Sequence, residues 1–171
     1  MTLSTDRPEP SSPACLAHEA DDAYMGYATR DELAAFLNEL LEAERAGTGV
    51  ALKSADAASG TPFFELLRDV HRDEALWCAM LLRQLKALGA PASKRIGAFQ
   101  EKAMAIEGLP ERIAFLNRGQ GWVVRKLREM LPKVRDDALH RDLADMLQSH
   151  KTNIARASAA LEERGYAGRS R

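Results

Sequence analysis

Residues 62–91 read PFFELLRDVHRDEALWCAMLLRQLKALGAP, and this stretch decides the fold. Phe64, Leu67, Leu81, Leu85 and Leu88 recur at the three- and four-residue spacing of one helix face. Thr61 with Pro62 makes a start signal, and Gly89 followed by Pro91 makes a stop, so the spacing predicts a helix over 62–88. On the same predicted face stand His71, Glu74 and Cys78. A bundle core ordinarily has Leu or Val at such positions.

Three more segments of similar length carry the same pattern. The first, predicted over 30–54, opens with a Thr29/Glu32 capping box. It runs Leu33, Leu37, Leu40, Glu44, Gly47 and Ala51 along one face. Another begins at Leu109-Pro110, ends at Pro132, and aligns Ile113, Leu116, Gln120, Val123, Leu127 and Met130. The last, predicted over 137–164 and closed by Gly165, aligns Leu139, Leu143, Met146, His150, Ile154, Ala157 and Leu161. A short helix is predicted over 93–106, between the second and third long ones. The fold class is therefore all-α: a four-helix bundle over 29–165 with one short inserted helix. Residues 1–14, rich in Pro, Ser and Thr, read as a flexible tail, 15–28 as an ordered lead-in, and 166–171 as a second tail.

Composition narrows the function. The 171 residues are 46% hydrophobic and 29% charged, with a net charge of −1, the profile of a globular protein. Basic and acidic residues are interspersed, which argues against nucleic acid as a partner. No apolar run reaches the roughly 18 residues of a membrane helix, and the N-terminus lacks a secretory signal. The expectation is a cytoplasmic protein. Two cysteines, Cys15 and Cys78, make no disulfide framework and are expected as free thiols.

The predicted midpoints of the four long helices carry Glu44, His71 with Glu74, Gln120 and His150. Matching midpoints of antiparallel helices share one layer, so these groups are expected to converge inside the bundle. A buried carboxylate needs a cation or a proton donor. A divalent ion meets that need, and a mixed oxygen and nitrogen set suits iron, manganese or zinc. A closed hydrogen-bond network among the same side chains meets it equally well. Gln120 lies between Gly119 and Gly121, as expected where a ligand, a backbone or a bulky side chain such as Trp77 comes close, or where the helix kinks. Cys78, below Glu74, is a further candidate at the site, as a cofactor contact or redox thiol. The Cys15–His18–Glu19 cluster reads as a surface turn and His140 as exposed. Trp77 and Trp122 read as packing, and Glu39/Glu42/Arg45 and Arg141/Asp142/Asp145 as solvated faces.

Residues 37–44, Leu-Asn-Glu-Leu-Leu-Glu-Ala-Glu, resemble the opening of bacterioferritin-like helices. Helix order and the long second connection also resemble the ferritin-like superfamily. The resemblance implies a ferritin-like bundle, with Glu44 as a metal ligand and homodimerisation by analogy. The family pattern is Glu on the first helix, Glu-x-x-His on the second, Glu on the third and Glu-x-x-His on the fourth. Here Trp77 stands at the second-helix His, Gln120 at the third-helix Glu, and Leu147 at the fourth-helix Glu. What the resemblance then implies is a single metal on Glu44, His71, Glu74 and His150, with Gln120 orienting a water or small substrate. The competing expectation is a metal-free module whose polar layer fixes helix register or binds a small polar molecule.

Overall fold

The computed structural model describes residues 25–165. The expected tails 1–14 and 166–171, the Cys15–His18–Glu19 cluster and nearly all of the lead-in 15–28 lie outside the described residues. Five α-helices follow one another: α1 (Arg30–Ala57), α2 (Phe63–Ala87), α3 (Phe99–Met104), α4 (Leu109–Met130) and α5 (Asp137–Glu162). A 3₁₀ turn, Leu131–Lys133, joins α4 to α5. Two of the starts are capped by side chains, while α2 begins one residue later than expected, with Pro62 and not Thr61 at the cap position. Thr29 and Glu32 close a reciprocal capping box on α1, and the Asp136 carboxylate accepts from the Leu139 N–H at 2.7 Å on α5.

The four long helices form a square. Going round it the order is α1, α2, α5, α4; the diagonal pairs α1/α5 and α2/α4 do not approach within 8 Å between Cα atoms. Two apolar clusters fix the directions. One gathers Leu37, Leu41, Leu81, Leu85, Leu127 and Leu143, and the other Val50, Leu67, Leu116 and Ala157, with their neighbours. Each helix enters one cluster and leaves through the other, so α1 and α5 run one way and α2 and α4 the opposite way. Every edge of the square is antiparallel, which obliges the chain to cross the length of the bundle between α2 and α4.

That crossover differs from the sequence expectation. The short helix is confined to Phe99–Met104, and 90–97 are not helical. Asn38, Glu42 and Arg45, spaced four and three apart on α1, occupy the polar groups that a helix would have used. Asn38 donates to the Pro91 carbonyl and accepts from the Ser93 N–H, Glu42 accepts from the Ser93 hydroxyl, and Arg45 donates to the Ser93 carbonyl. Of the expected solvated face, Glu39 is exposed and pairs with Lys126, whereas Glu42 and Arg45 are part-buried and grip the crossover. Asp142 likewise accepts from Arg83 and Gln84 of α2.

The glycines in α1 and α4 seat α3. A methyl on Gly119 would come within 2.5 Å of the Phe99 ring, and one on Gly49 within 2.5 Å of the Gln100 side chain. The bulky neighbour of Gly119 is therefore Phe99, not Trp77, which donates instead to the Ser149 hydroxyl at 3.3 Å. Phe99 also stacks on Phe115, centroids 4.8 Å apart. Gly121 has only the tip of Arg125 nearby, at 3.8 Å. Opposite outcomes follow for one substitution at two sites. Gly119→Ala is expected to destabilise by about 1–3 kcal/mol through overpacking, and Gly121→Ala to stabilise by up to ~1 kcal/mol through helix propensity. Urea midpoints of the two variants, compared with the parent, check both signs.

Candidate functional site: a polar layer on the bundle axis

Glu44, Glu74, Gln120 and His150 come one from each long helix, and all are buried, at 2%, 3%, 4% and 1% exposure. They occupy the gap between the two apolar clusters. The expected convergence is therefore found for these four. Glu44 and His150 belong to diagonal helices, so their side chains meet only at the axis, where His150 Nε2 lies 3.1 Å from Glu44 Oε1. The other His150 nitrogen, Nδ1, is 3.0 Å from the Met146 carbonyl. A carbonyl only accepts, so Nδ1 carries a proton.

His71 does not join them. The buried stripe of α2 runs Phe63, Leu66, Leu67, Val70, Glu74. Its N-terminal half is turned by one residue from the predicted Phe64, Leu67, His71 face, and Val70 takes the core position. His71 stands half-buried on the flank, its Nδ1 3.2 Å from the Thr48 carbonyl. Cys78 is also half-buried and off the layer. Burial first, then the Glu44 charge, pushes its thiol up to about 11, which keeps it protonated and unfit as a redox nucleophile.

The layer opens into a chamber of about 560 Å³ between α1 and α4, roofed by the crossover. Phe99, Phe115, Leu116, Trp122 and Val123 wall it, while Glu74 and His150 reach in from α2 and α5. Trp122 is thus a chamber wall as well as packing. The carboxylate of Glu74 lies flat against α1 where Gly47 leaves room, since a methyl there would come within 2.6 Å of its Oε2. Among the described residues, three buried oxygens of the layer have no hydrogen-bond partner: Glu44 Oε2, Glu74 Oε2 and Gln120 Oε1. Each such group costs about 1–3 kcal/mol if left so. Among the described residues, no three His, Cys, Asp or Glu side chains are gathered as a metal ion requires.

Beside the layer runs a second network that the sequence reading missed. Asp73 accepts from the Asn153 amide at 3.0 Å and from the Ser149 hydroxyl at 3.4 Å, and Ser149 accepts from Trp77. Asn153 is buried where Ile154 was expected. Its signal was available: position 153 lies three residues beyond His150, on the same helix face.

Electrostatics follow from this geometry. Burial, reinforced by the charges of Glu44 and then Asp73, holds the Glu74 carboxyl well above the usual range and favours its neutral form. Burial alone would lower His150, but the charge and hydrogen bond of Glu44, with the Met146 carbonyl, outweigh it and raise the imidazole above its ordinary value. The charged groups bearing on both are Glu44 on α1 and Asp73 on α2; α4 contributes the neutral Gln120. Both groups bind more protons folded than unfolded, so stability falls as pH rises. For Glu74 the loss starts above about 4.3, the unfolded carboxyl value. For His150 the stabilisation is complete below about 6.5 and fades as pH passes its raised value. Urea unfolding between pH 5 and 8, with chelator, is expected to show this decline. Glu74→Gln should flatten its lower part and match or exceed the parent at pH 8. A parent whose stability rises with pH would contradict the assignment.

Among the described residues no helix is long and apolar enough to cross a membrane. No curated protein and no solved structure matches the chain. Residues 31–160, from the first turn of α1 almost to the end of α5, match the family described as "Domain of unknown function (DUF6306)". All four layer residues fall within the matched span, and the chain belongs to this DUF6306 family.

Proposed function

We propose that this chain is a ligand-binding bundle with a ferritin-like arrangement, and that its mid-bundle chamber takes a small guest that donates hydrogen bonds or carries positive charge. The observation that carries the reading is the set of three unpartnered buried oxygens, Glu44 Oε2, Glu74 Oε2 and Gln120 Oε1, on three residues that line one chamber. Buried polar atoms are ordinarily paired. Three unpaired ones contributed by three helices around one cavity are what a binding site presents without its guest. The antiparallel square with a single long crossover supports the ferritin-like reading.

A second reading, a single divalent metal, is favoured by one further observation. His150 Nδ1 donates to a backbone carbonyl, the usual orientation of a metal-ligating imidazole, and this directs the Nε2 lone pair towards Glu44. Iron, manganese or zinc would then be held by Glu44 and His150 with Glu74 drawn in beside Gln120, since among the described residues these side chains are not gathered as a metal ion requires. His71 and Cys78 take no part. The metal, when bound, would supply Lewis acidity or, for iron and manganese, redox chemistry. Around it Gln120 would orient a small molecule, and the apolar walls would exclude water.

Native mass spectrometry of the untagged protein, with elemental analysis of the parent and of His150→Ala, tests the two readings together. The expected result is a mass excess from an organic molecule, without stoichiometric metal. One metal per chain, lost in His150→Ala, would establish the second reading instead. A bare chain that takes up neither metal nor small molecules on reconstitution would overturn both and leave the layer as a structural network.

A further inference from the structure

The chamber is far larger than its polar floor requires. A water molecule takes up roughly 30 Å³, whereas the chamber measures about 560 Å³ and falls within the roughly 300–1,000 Å³ of small-molecule sites. The floor and the walls ask for different things. Glu44, Glu74 and Gln120 offer three oxygens without partners, each on a residue more than nine-tenths buried. Two carboxylates face one imidazole there, and that imidazole already has both nitrogens engaged. Above them Phe99, Phe115 and Trp122 present ring surface. The rim carries both signs, with Glu39 and Glu42 against Lys102 and Arg118, so it selects no charge.

We propose that the chamber binds a primary ammonium compound with an aromatic or branched aliphatic body, its head on the oxygens of Glu44, Glu74 and Gln120 and its body against Phe99, Phe115 and Trp122. A primary ammonium has three N–H donors on one small cationic centre, one for each unpartnered oxygen. A quaternary ammonium has the charge without the donors, and an alcohol one donor without the charge. Both leave buried oxygens unpaired. Rings on the walls suit the body by area and also face the cation favourably. This inference rests on the chamber being a ligand site and adds the class of ligand.

Trp77 lies outside the chamber, so Trp77→Phe leaves Trp122, in the wall, as the only tryptophan. In that background, with chelator, fluorescence titrations would use 2-phenylethylamine, 2-phenylethanol and the trimethylammonium analogue of the amine. The amine is expected to bind at least about tenfold more tightly than either control, as charge-assisted bonds to buried carboxylates should. Glu74→Gln, which keeps shape but cannot ionise against a bound ammonium, should erase most of that preference; Gln120→Leu serves the same purpose from another helix should Glu74→Gln fail to fold. Equal binding of amine and alcohol would overturn the ammonium proposal and leave an apolar ligand chamber standing. If no probe binds by fluorescence or calorimetry, while Fe(II) or Zn(II) binds once chelator is removed, the ligand-chamber reading falls as well.

Discussion

Two carboxylates on the axis of a helical bundle set the terms for everything around them. Glu44 and Glu74 are buried among leucines, in a setting that penalises ionisation heavily. The structure answers each differently. Glu44 reaches across the diagonal of the square to His150, which shares a proton with it and is held in place by the Met146 carbonyl. Glu74 has no such imidazole and is pushed towards its neutral form. The two carboxyl groups therefore differ in their partners, one bonded to an imidazole and the other left to burial.

The layer also explains the uneven closure of the bundle. Between α2 and α5 polar side chains are paired rung by rung: Asp69 with Arg156, Asp73 with Asn153 and Ser149, Trp77 with Ser149, and Asp142 with Arg83 and Gln84. That edge is bridged by polar pairs along its length. Between α1 and α4 the helices leave a chamber, and the cover is supplied from outside by Phe99, seated over Gly119 and pinned through residues 91–95 to Asn38, Glu42 and Arg45. The crossover bounds the chamber over the layer, while the two apolar clusters lie towards the ends of the bundle.

The long helices, the Thr29/Glu32 capping box and four of the layer residues were legible in the sequence, the helices and the layer because periodicity reports burial directly. Glu44, Gln120 and His150 interrupt stripes that are otherwise apolar, and the stripes of α1, α4 and α5 lie largely where the spacing puts them. The α2 stripe was misread by one residue in its first half because Phe63 and Phe64, Leu66 and Leu67, and Val70 and His71 offer two competing faces. Only packing against α1 and α5 chooses between them, and it chooses the face with Val70. The crossover was misread for a different reason: 93–106 has adequate helix propensity, but Ser93 is claimed by three side chains of α1 some fifty residues away. Local propensity yields to such tertiary partners. The Asp73–Asn153–Ser149 rungs were hidden because each residue alone resembles ordinary helix surface.

Stability does not account for this layer. Replacing buried ionic groups with apolar ones of similar volume is often neutral or stabilising, and here three oxygens lack even the partners that an ordinary buried network provides. A purely structural network would use the free lone pairs within itself. Glu74, if protonated, has a donor to offer, yet its buried Oε2 meets no acceptor, and Gly47 leaves space for the carboxylate to lie against bare backbone. Gly119 similarly removes a side chain so that Phe99 can roof the cavity and not fill it. Two local departures from helix preference thus act on one chamber, one at its floor and one at its lid. Departures of this kind, gathered around one cavity, are the physical ground on which the proposal of a ligand chamber stands.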